Sequence, residues 1–490
     1  MRKAFLIGAF LCAPLLCLLT LASSPTPTQS KARGITGVII PPPPPLGFLF
    51  VVTSTGDGDN TGVGAVCDDG TGNCTLRAAI EVANANAGDD TIKFDIPATD
   101  PGYDVSTGRW TINLTMPLPD LSSNIRITGP GADKLTVQRS GSAAQFRIFN
   151  VTTTGSVTLS DLTIANGVVL NGSGGGIFNN GGDTLNLSNV TLKNNFAGQG
   201  GGIFSQGGTI NVTNSILTGN SGNIAGGGIY SQCFSTCTVT LTNCTVSGNF
   251  GAGGGIFNTC GSGSNTLNVI NSTVSGNSGR LPGGGGIFNS VSSGSGHSTA
   301  NITNSTIAGN FNNLNDADGG GIYADFSTVN LTNSTISGNS TTRMGGGIFS
   351  STLAIINVKN SIIAVNSAIV SAPDVSGGFI SQGNNLVGAR DGSTGFTAVT
   401  DHTGTIAGPL DVKLDPAGLQ NNGGPTQTIA LRSGSLAINN ADPAAAPARD
   451  QRVFVRDGPP DIGAFEFSGT IPVSLGNIST RGKLAPEITS

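Results

Sequence analysis

The sequence is poor in charge and in the residues that most enzymes use to move protons. Charged residues make up 10% of its 490 positions, histidine occurs twice and tryptophan once. Glutamate is absent from the whole repeat region set out below. Polysaccharide cleavage needs carboxylates or calcium with a basic partner on one face, so this scarcity weighs against such a site. Lysine plus arginine number 23 against 28 acidic residues, a balance that excludes a nucleic-acid surface. Beyond the first 21 residues no stretch is long and apolar enough to span a bilayer. Glycine reaches 75 residues without the strict triplet of collagen, and 37% hydrophobic residues at strand period argue against disorder.

What the sequence has is repetition. Gly-Gly-Gly-Ile-Phe/Tyr occurs seven times, with isoleucine at Ile177, Ile203, Ile229, Ile256, Ile287, Ile322 and Ile348. A second phrase lies between copies, clearest from Val329 through Leu331, Asn333, Ser334 and Ile336 to Asn339. The shortest spacing is about 26 residues, a period that means a solenoid, propeller or array. Val329 and Leu331 alternate with Asn330 and Thr332, which is strand patterning. Asn333-Ser334 and Gly338-Asn339 interrupt it, and Asn and Gly tolerate φ > 0, so each rung bends there. Three short strands per rung follow. The predicted fold is all-β, a right-handed parallel β-helix solenoid with a short N-terminal helical cap.

One rung cannot stand alone. A few inward aliphatics contribute roughly 1.5–3 kcal/mol each, whereas ordering a rung costs ~1–2 kcal/mol per residue. Stacking must supply the rest. The repeat isoleucine never varies, so the seven isoleucines form the core ladder. Its neighbour is Phe178, Phe204, Tyr230, Phe257, Phe288, Tyr323 or Phe349. A position that accepts a phenol hydroxyl faces outward, which predicts an outer aromatic ladder.

Along the chain, a basic start and an apolar run make residues 1–24 a secretory signal peptide. Residues 25–47 form a linker ending in Pro41 to Pro45. Residues 48–97 read as a cap with Thr75 at the N-terminus of an amphipathic helix. Within it, Cys74-Thr75-Leu76-Arg77-Ala78-Ala79-Ile80 and Asp89-Asp90-Thr91-Ile92-Lys93-Phe94-Asp95 resemble the CSLREA domain of exported bacterial β-helix proteins. Thr75 and Ala78 depart from its name-giving serine and glutamate. Residues 98–413 hold the rungs, which also resemble repeats of polymorphic outer-membrane proteins and autotransporter passengers. In residues 414–467, the blocks Asn421-Asn422-Gly423-Gly424-Pro425, Ser433-Gly434-Ser435-Leu436, Asp450-Gln451-Arg452 and Asp461-Ile462-Gly463-Ala464-Phe465-Glu466 resemble a choice-of-anchor Q domain. Residues 468–490 form a tail, similar at Leu475 to Arg481 to the opening of a further module. The resemblances imply a secreted, extracellular or surface protein associated with an outer membrane. Residues 414–467 are expected to close or follow the C-terminal end of the solenoid, with residues 461–467 as its final strand.

Few residues are candidates for chemistry. The position two after each repeat isoleucine reads Asn179, Ser205, Ser231, Asn258, Asn289, Ala324 and Ser350, with no acid. Asp316 and Asp318, like Asp57 and Asp59, could hold calcium through oxygen, although acidic turns more often face water. His297 and His402 have no partners in sequence. Asp450, Arg452, Arg456, Asp461 and Glu466 could form a catalytic cluster, with internal salt bridges the favoured role. Of eight cysteines, Cys12 and Cys17 fall in the leader. The remaining even number, in an oxidising compartment, favours disulfides over a metal site. Cys67 and Cys74 flank one loop. Cys233 and Cys260 each stand four residues after a repeat isoleucine, which adjacent rungs would bring within disulfide range; Cys237 competes for either, and Cys244 is expected to be free and buried.

The sequence therefore predicts a structural and adhesive β-helix with no catalytic site and no bound cofactor. Its Ser/Thr/Asn faces and inserts at 290–299 and 311–318 would contact glycans or other surfaces. The rivals are a β-helix polysaccharide lyase or hydrolase and an inert stalk.

Overall fold

The computed structural model describes residues 46–180, 184–281, 283–292, 295–312 and 317–469. The expected leader, nearly all of the linker and tail, Asp316 and parts of both inserts lie outside the described residues. The chain is a parallel β-helix. One coil runs through Ile177–Asn179, Thr184–Ser188, Thr191–Lys193 and Phe196–Gln199 and returns to Ile203–Ser205. A coil therefore has four strands rather than the expected three. The extra one, Phe196–Gln199, carries too little apolar alternation to be seen in sequence.

Each strand pairs in parallel with its copy one coil on, so that Ile177 faces Ile203, Leu185 faces Ile210 and Leu192 faces Leu217. Four sheets result. The lattice sheet (twelve strands) contains Thr184–Ser188, the flank sheet (thirteen) Thr191–Lys193, the glycine sheet (ten) Ile177–Asn179 and the bend sheet (eight) Phe196–Gln199. Corners fall where expected, with φ of 45° at Asn333 and 70° at Gly338.

The triple glycine has a steric cause. Gly200 has φ 62°, a left-handed conformation. A Cβ on Gly201 would lie 2.4 Å from the Ser221 carbonyl oxygen, and one on Gly202 would lie 2.5 Å from that of Gly228. The second and third glycines thus lie too close to the next coil's backbone for any side chain.

All seven repeat isoleucines are completely buried. The aromatic ladder lies outside this core, with successive ring centroids 4.5 to 5.2 Å apart. Its outward placement is as expected, but it is more covered than expected. Phe204, Tyr230 and Phe288 are buried and the other four are half-buried, because bend-sheet residues such as Ala225 and Ala252 pack against it. Burial pushes the phenols of Tyr230 and Tyr323 up to about 12.

At the N-terminal end, Leu49–Val52 and Asp90–Phe94 form the first strands of the lattice sheet. The helix Leu76–Ala85, capped by Thr75 Oγ1 accepting from Ala78 N at 3.0 Å, buries Leu76, Ile80 and Ala83 in the same core as Val52 and Ile92. Arg77 is buried, with NH2 2.7 Å from Asp57 Oδ1 and guanidinium bonds to the Met116 and Pro117 carbonyls. Ala78 is wholly buried too. At the other end Phe379 and Phe396 are buried with rings 5.1 Å apart.

The coils are joined inside by a column of buried asparagines: Asn195, Asn220, Asn249, Asn277, Asn310, Asn339 and Asn366. Asn249 Nδ2 donates to Leu217 O at 3.0 Å and to Asn277 Oδ1 at 2.9 Å, and Asn277 Oδ1 also accepts the Asn249 backbone N–H. A buried polar group left unpaired costs roughly 1–3 kcal/mol. Asn277→Leu leaves Asn249 N without its acceptor and removes one bond each from Asn249 Nδ2, Val246 O and Asn310 Oδ1. It is expected to destabilise the protein by at least about 3 kcal/mol, against under ~1 kcal/mol for Asn268→Leu on the outer face. Equal urea midpoints for the two variants would refute the role of the interior column.

Candidate functional site

The residues two after each isoleucine point inward. Asn179, Ser205, Ser231, Asn258, Asn289 and Ser350 are buried polar groups and Ala324 joins the hydrophobic core, so this position offers nothing to a ligand. Asp57 is engaged by Arg77 and by Thr115 N and Oγ1. Asp318 is buried, accepts from Met344 N at 3.0 Å and has Arg343 NH1 3.5 Å from Oδ2. Both carboxylates therefore already have protein partners. Among the described residues there is no group of three or more metal-ligating side chains. His297 and His402 are exposed.

The cysteines require one correction. Cys67 and Cys74 are joined, with Cα atoms 5.1 Å apart, and Cys244 is free and buried as expected. Cys233 is joined to Cys237, Cα–Cα 5.9 Å, and not to Cys260, which is a free buried thiol. Cys233 and Cys260 are indeed in register on neighbouring strands. Side chains of in-register parallel neighbours point the same way and stay about a strand spacing, ~4.8 Å, apart. Cys237 faces Cys233 across the corner between Ile229–Cys233 and Thr236–Thr242, where the two side chains converge.

The C-terminal segment departs from expectation. It does not close the end of the solenoid but folds back along the flank sheet, and residues 461–467 are not a strand. The flank sheet's outward threonines hold it. Thr273 Oγ1 donates to Gln427 O at 2.6 Å, and Gln451 bridges Thr273 and Thr306 through Nε2 (2.9 Å) and Oε1 (2.6 Å). Asn360 Oδ1 accepts from Asp442 N at 2.8 Å, and Lys359 pairs with Asp442 at 3.0 Å. Gly463, at φ 97°, sits where a Cβ would be 2.8 Å from Ile362 Cδ1, and the next residue's N–H reaches Thr335 Oγ1 at 3.2 Å.

Asp450, Arg452, Arg456, Asp461 and Glu466 form a buried network of salt bridges and hydrogen bonds in this segment. Asp450 Oδ2 is 2.6 Å from Arg452 NH2, Glu466 Oε2 is 2.9 Å from Arg456 NH1, and all five are buried. Arg452 stacks 3.6 Å from the Phe465 ring centroid. Burial pushes the Glu466 carboxyl up to about 6, with Asp461 adding repulsion and Arg456 only partly offsetting it; burial raises Asp461 as well.

Two open surfaces among the described residues bear on binding. On the lattice sheet the outward residues read Thr-Asn-Thr in Thr209, Asn211 and Thr213, again in Thr299, Asn301 and Thr303, and again in Thr328, Asn330 and Thr332, all partly exposed. The asparagines bond along the column, Asn330 to Asn301 and Asn357 to Asn330, each at 2.7 Å. The second surface is a hollow of about 520 Å³ on the N-terminal part of the flank sheet, lined by Arg109, Asp133, Thr163, Thr191, Lys193 and Ile216. Sequence reading found the Thr/Asn faces but missed this hollow, because its floor comes from several coils and its rim from the loop at Gly131 to Asp133. No protein-family model matches the chain, and no curated protein matches it significantly in sequence.

Two outcomes test the flank. Gly463→Ala is expected to destabilise the docked segment by at least about 2 kcal/mol through strain and overpacking, giving faster proteolysis of residues 414–467 while the rungs keep their β circular dichroism. An unchanged cleavage rate would refute the close fit. For Glu466 the folded carboxyl holds its proton more tightly than the unfolded one. Its contribution is therefore complete below about pH 4.5 and is lost as pH rises through about 6, up to ~2 kcal/mol for such a shift. The urea midpoint of the segment should fall over this window and Glu466→Gln should flatten the fall; a parallel slope in the variant would contradict it.

Proposed function

We propose that the chain is an exported surface or extracellular β-helix with a structural and adhesive role, and that it binds glycans across its lattice sheet. The observation that carries this reading is the outer face of that sheet, where Thr-Asn-Thr rows stand in three coils and close variants, such as Thr238-Thr240-Thr242 and Thr266-Asn268-Ile270, fill the coils between them. Because the asparagine amides bond along the column, Asn211 to Asn186 and Asn357 to Asn330 to Asn301 to Asn268, with Asn268 reaching Thr240 where the row has threonine instead, the flanking threonine hydroxyls are left to meet a ligand. Hydroxyls repeated at the strand spacing suit an extended polymer that itself repeats hydroxyl groups. No outward residue of the described lattice strands from Thr184 to Thr332 is acidic, which favours retention over cleavage. The two disulfides and the resemblances to CSLREA, choice-of-anchor Q and outer-membrane repeat proteins support an exported location. No described helix is long and apolar enough to cross a membrane.

A glycan array combined with a polysaccharide-degradation screen tests the proposal. Retention without cleavage products is expected, and the triple variant Thr266→Val, Thr299→Val, Thr328→Val should weaken it about tenfold, one lost polar contact or more. Cleavage products would move the reading to a lyase or hydrolase. A protein that retains no glycan would be a stalk.

A further inference from the structure

The outward threonines of the flank sheet already bind polypeptide. Thr273 Oγ1 serves a backbone carbonyl, Gln427 O, and the carboxamide of Gln451 together; Thr306 takes the other end of that carboxamide, and Thr335 accepts a backbone N–H. At the other end of the sheet Thr163 Oγ1 donates to the Ala132 carbonyl at 2.7 Å. Between these covered stretches, Thr191, Ile216 and Thr245 stand in register, with Thr163 and Thr273 as the next members on either side. Thr191 and Thr245 are partly exposed and Ile216 is 44% exposed. Four strand spacings separate Thr163 from Thr273, ~19 Å, the length of about five or six extended residues.

The geometry points to this gap as a docking site for an extended peptide segment of a partner protein, with a side-chain carboxamide held at Thr191 or Thr245 as Gln451 is held at Thr273 and Thr306. The site continues an interface that the protein already makes with its own chain. Its rim carries Arg109 and Lys193 together with Asp133 and Asp161. A peptide with side chains of both signs can meet these charges, whereas a neutral glycan leaves them unanswered. Ile216 supplies an apolar floor for one side chain between the two hydroxyls. The site lies on a different sheet from the glycan face and does not depend on that reading.

The test is calorimetric titration of the full chain with acetyl-Arg-Asp-Gln-Arg-Val-amide, which copies Arg449 to Val453 around the Gln451 carboxamide, and with the same peptide carrying leucine for glutamine. The first is expected to bind and the second to bind about tenfold more weakly, the worth of a lost carboxamide contact. Thr191→Val with Thr245→Val should weaken the first to a similar extent and leave glycan retention unchanged; Ile216 already places a branched aliphatic in this column. Absence of binding at millimolar peptide would overturn the inference. So would equal binding of the two peptides, which needs no variant to fold. An N-acetylglucosamine oligomer that binds in a Thr191- and Thr245-dependent manner where the peptide does not would also overturn it, by making the gap a glycan subsite.

Discussion

The structure depends on one hydrogen-bonding unit, the asparagine side chain that stands inside each coil and reaches to the next. A primary amide has two donors and an acceptor oxygen with two lone pairs, and the interior column uses all of them. Asn310 Nδ2 donates to Val274 O and to Asn339 Oδ1, while Asn310 Oδ1 accepts both the backbone N–H and Nδ2 of Asn277. No hydroxyl could do this, and an aliphatic would leave backbone groups unpaired at the corner. Because each amide polarises the next, the column ties the coils together cooperatively. It ends at Asp374, where the chemistry changes with the need. The carboxylate has no further amide to serve; it accepts the Asn366 N and Nδ2 through one oxygen and Ala389 N through the other. Burial raises its pKa, and the donated hydrogen bonds oppose that rise.

The glycine triplet and the asparagine column are two parts of one constraint. A Cβ on Gly286 would stand 3.0 Å from Asn310 Nδ2 and 2.7 Å from the Gly321 carbonyl oxygen. The chain must therefore pass bare over each buried amide before the repeat isoleucine re-enters the core. Such a coil has little room for chemistry. Its interior positions are filled by aliphatics and amides, and its aromatic rings are stacked on one another, so variation is confined to outward faces and inserts.

Much of this was legible in the sequence, for physical reasons that also mark where legibility stopped. Ile203, Ile229 and Ile256 announced the core because an invariant aliphatic at a fixed period has no other explanation, and Thr75 announced the helix because few residues cap so well. The asparagine of Gly-Asn was read as a turn residue. The left-handed corner does belong to the preceding glycine, as at Gly338, but Asn339 itself turns inward, and composition cannot tell a turn asparagine from a buried one. Cys233 and Cys260 were correctly placed in register. Their pairing with each other was misread because register fixes the distance between strands and not the convergence of side chains, which the corner to Cys237 supplies. The flank docking of residues 414–467 was invisible, since Thr273 and Gln451 are 178 residues apart and neither is unusual where it stands.

That docking shows how an outward β-helix face holds another segment of its own chain. The flank sheet's threonines are spaced by strand pairing alone, yet they bind one segment through its backbone and a side-chain amide without any dedicated pocket. Specificity comes from what lies between the hydroxyls: Gly463, where Ile362 leaves no room for a side chain, and Gln451, where two threonines face one carboxamide. The lattice sheet has the hydroxyls without such intervening features. Under the proposals above, that difference assigns a repetitive partner needing no unique register to the lattice sheet, and a short partner that does need one to the interrupted column at Thr191, Ile216 and Thr245.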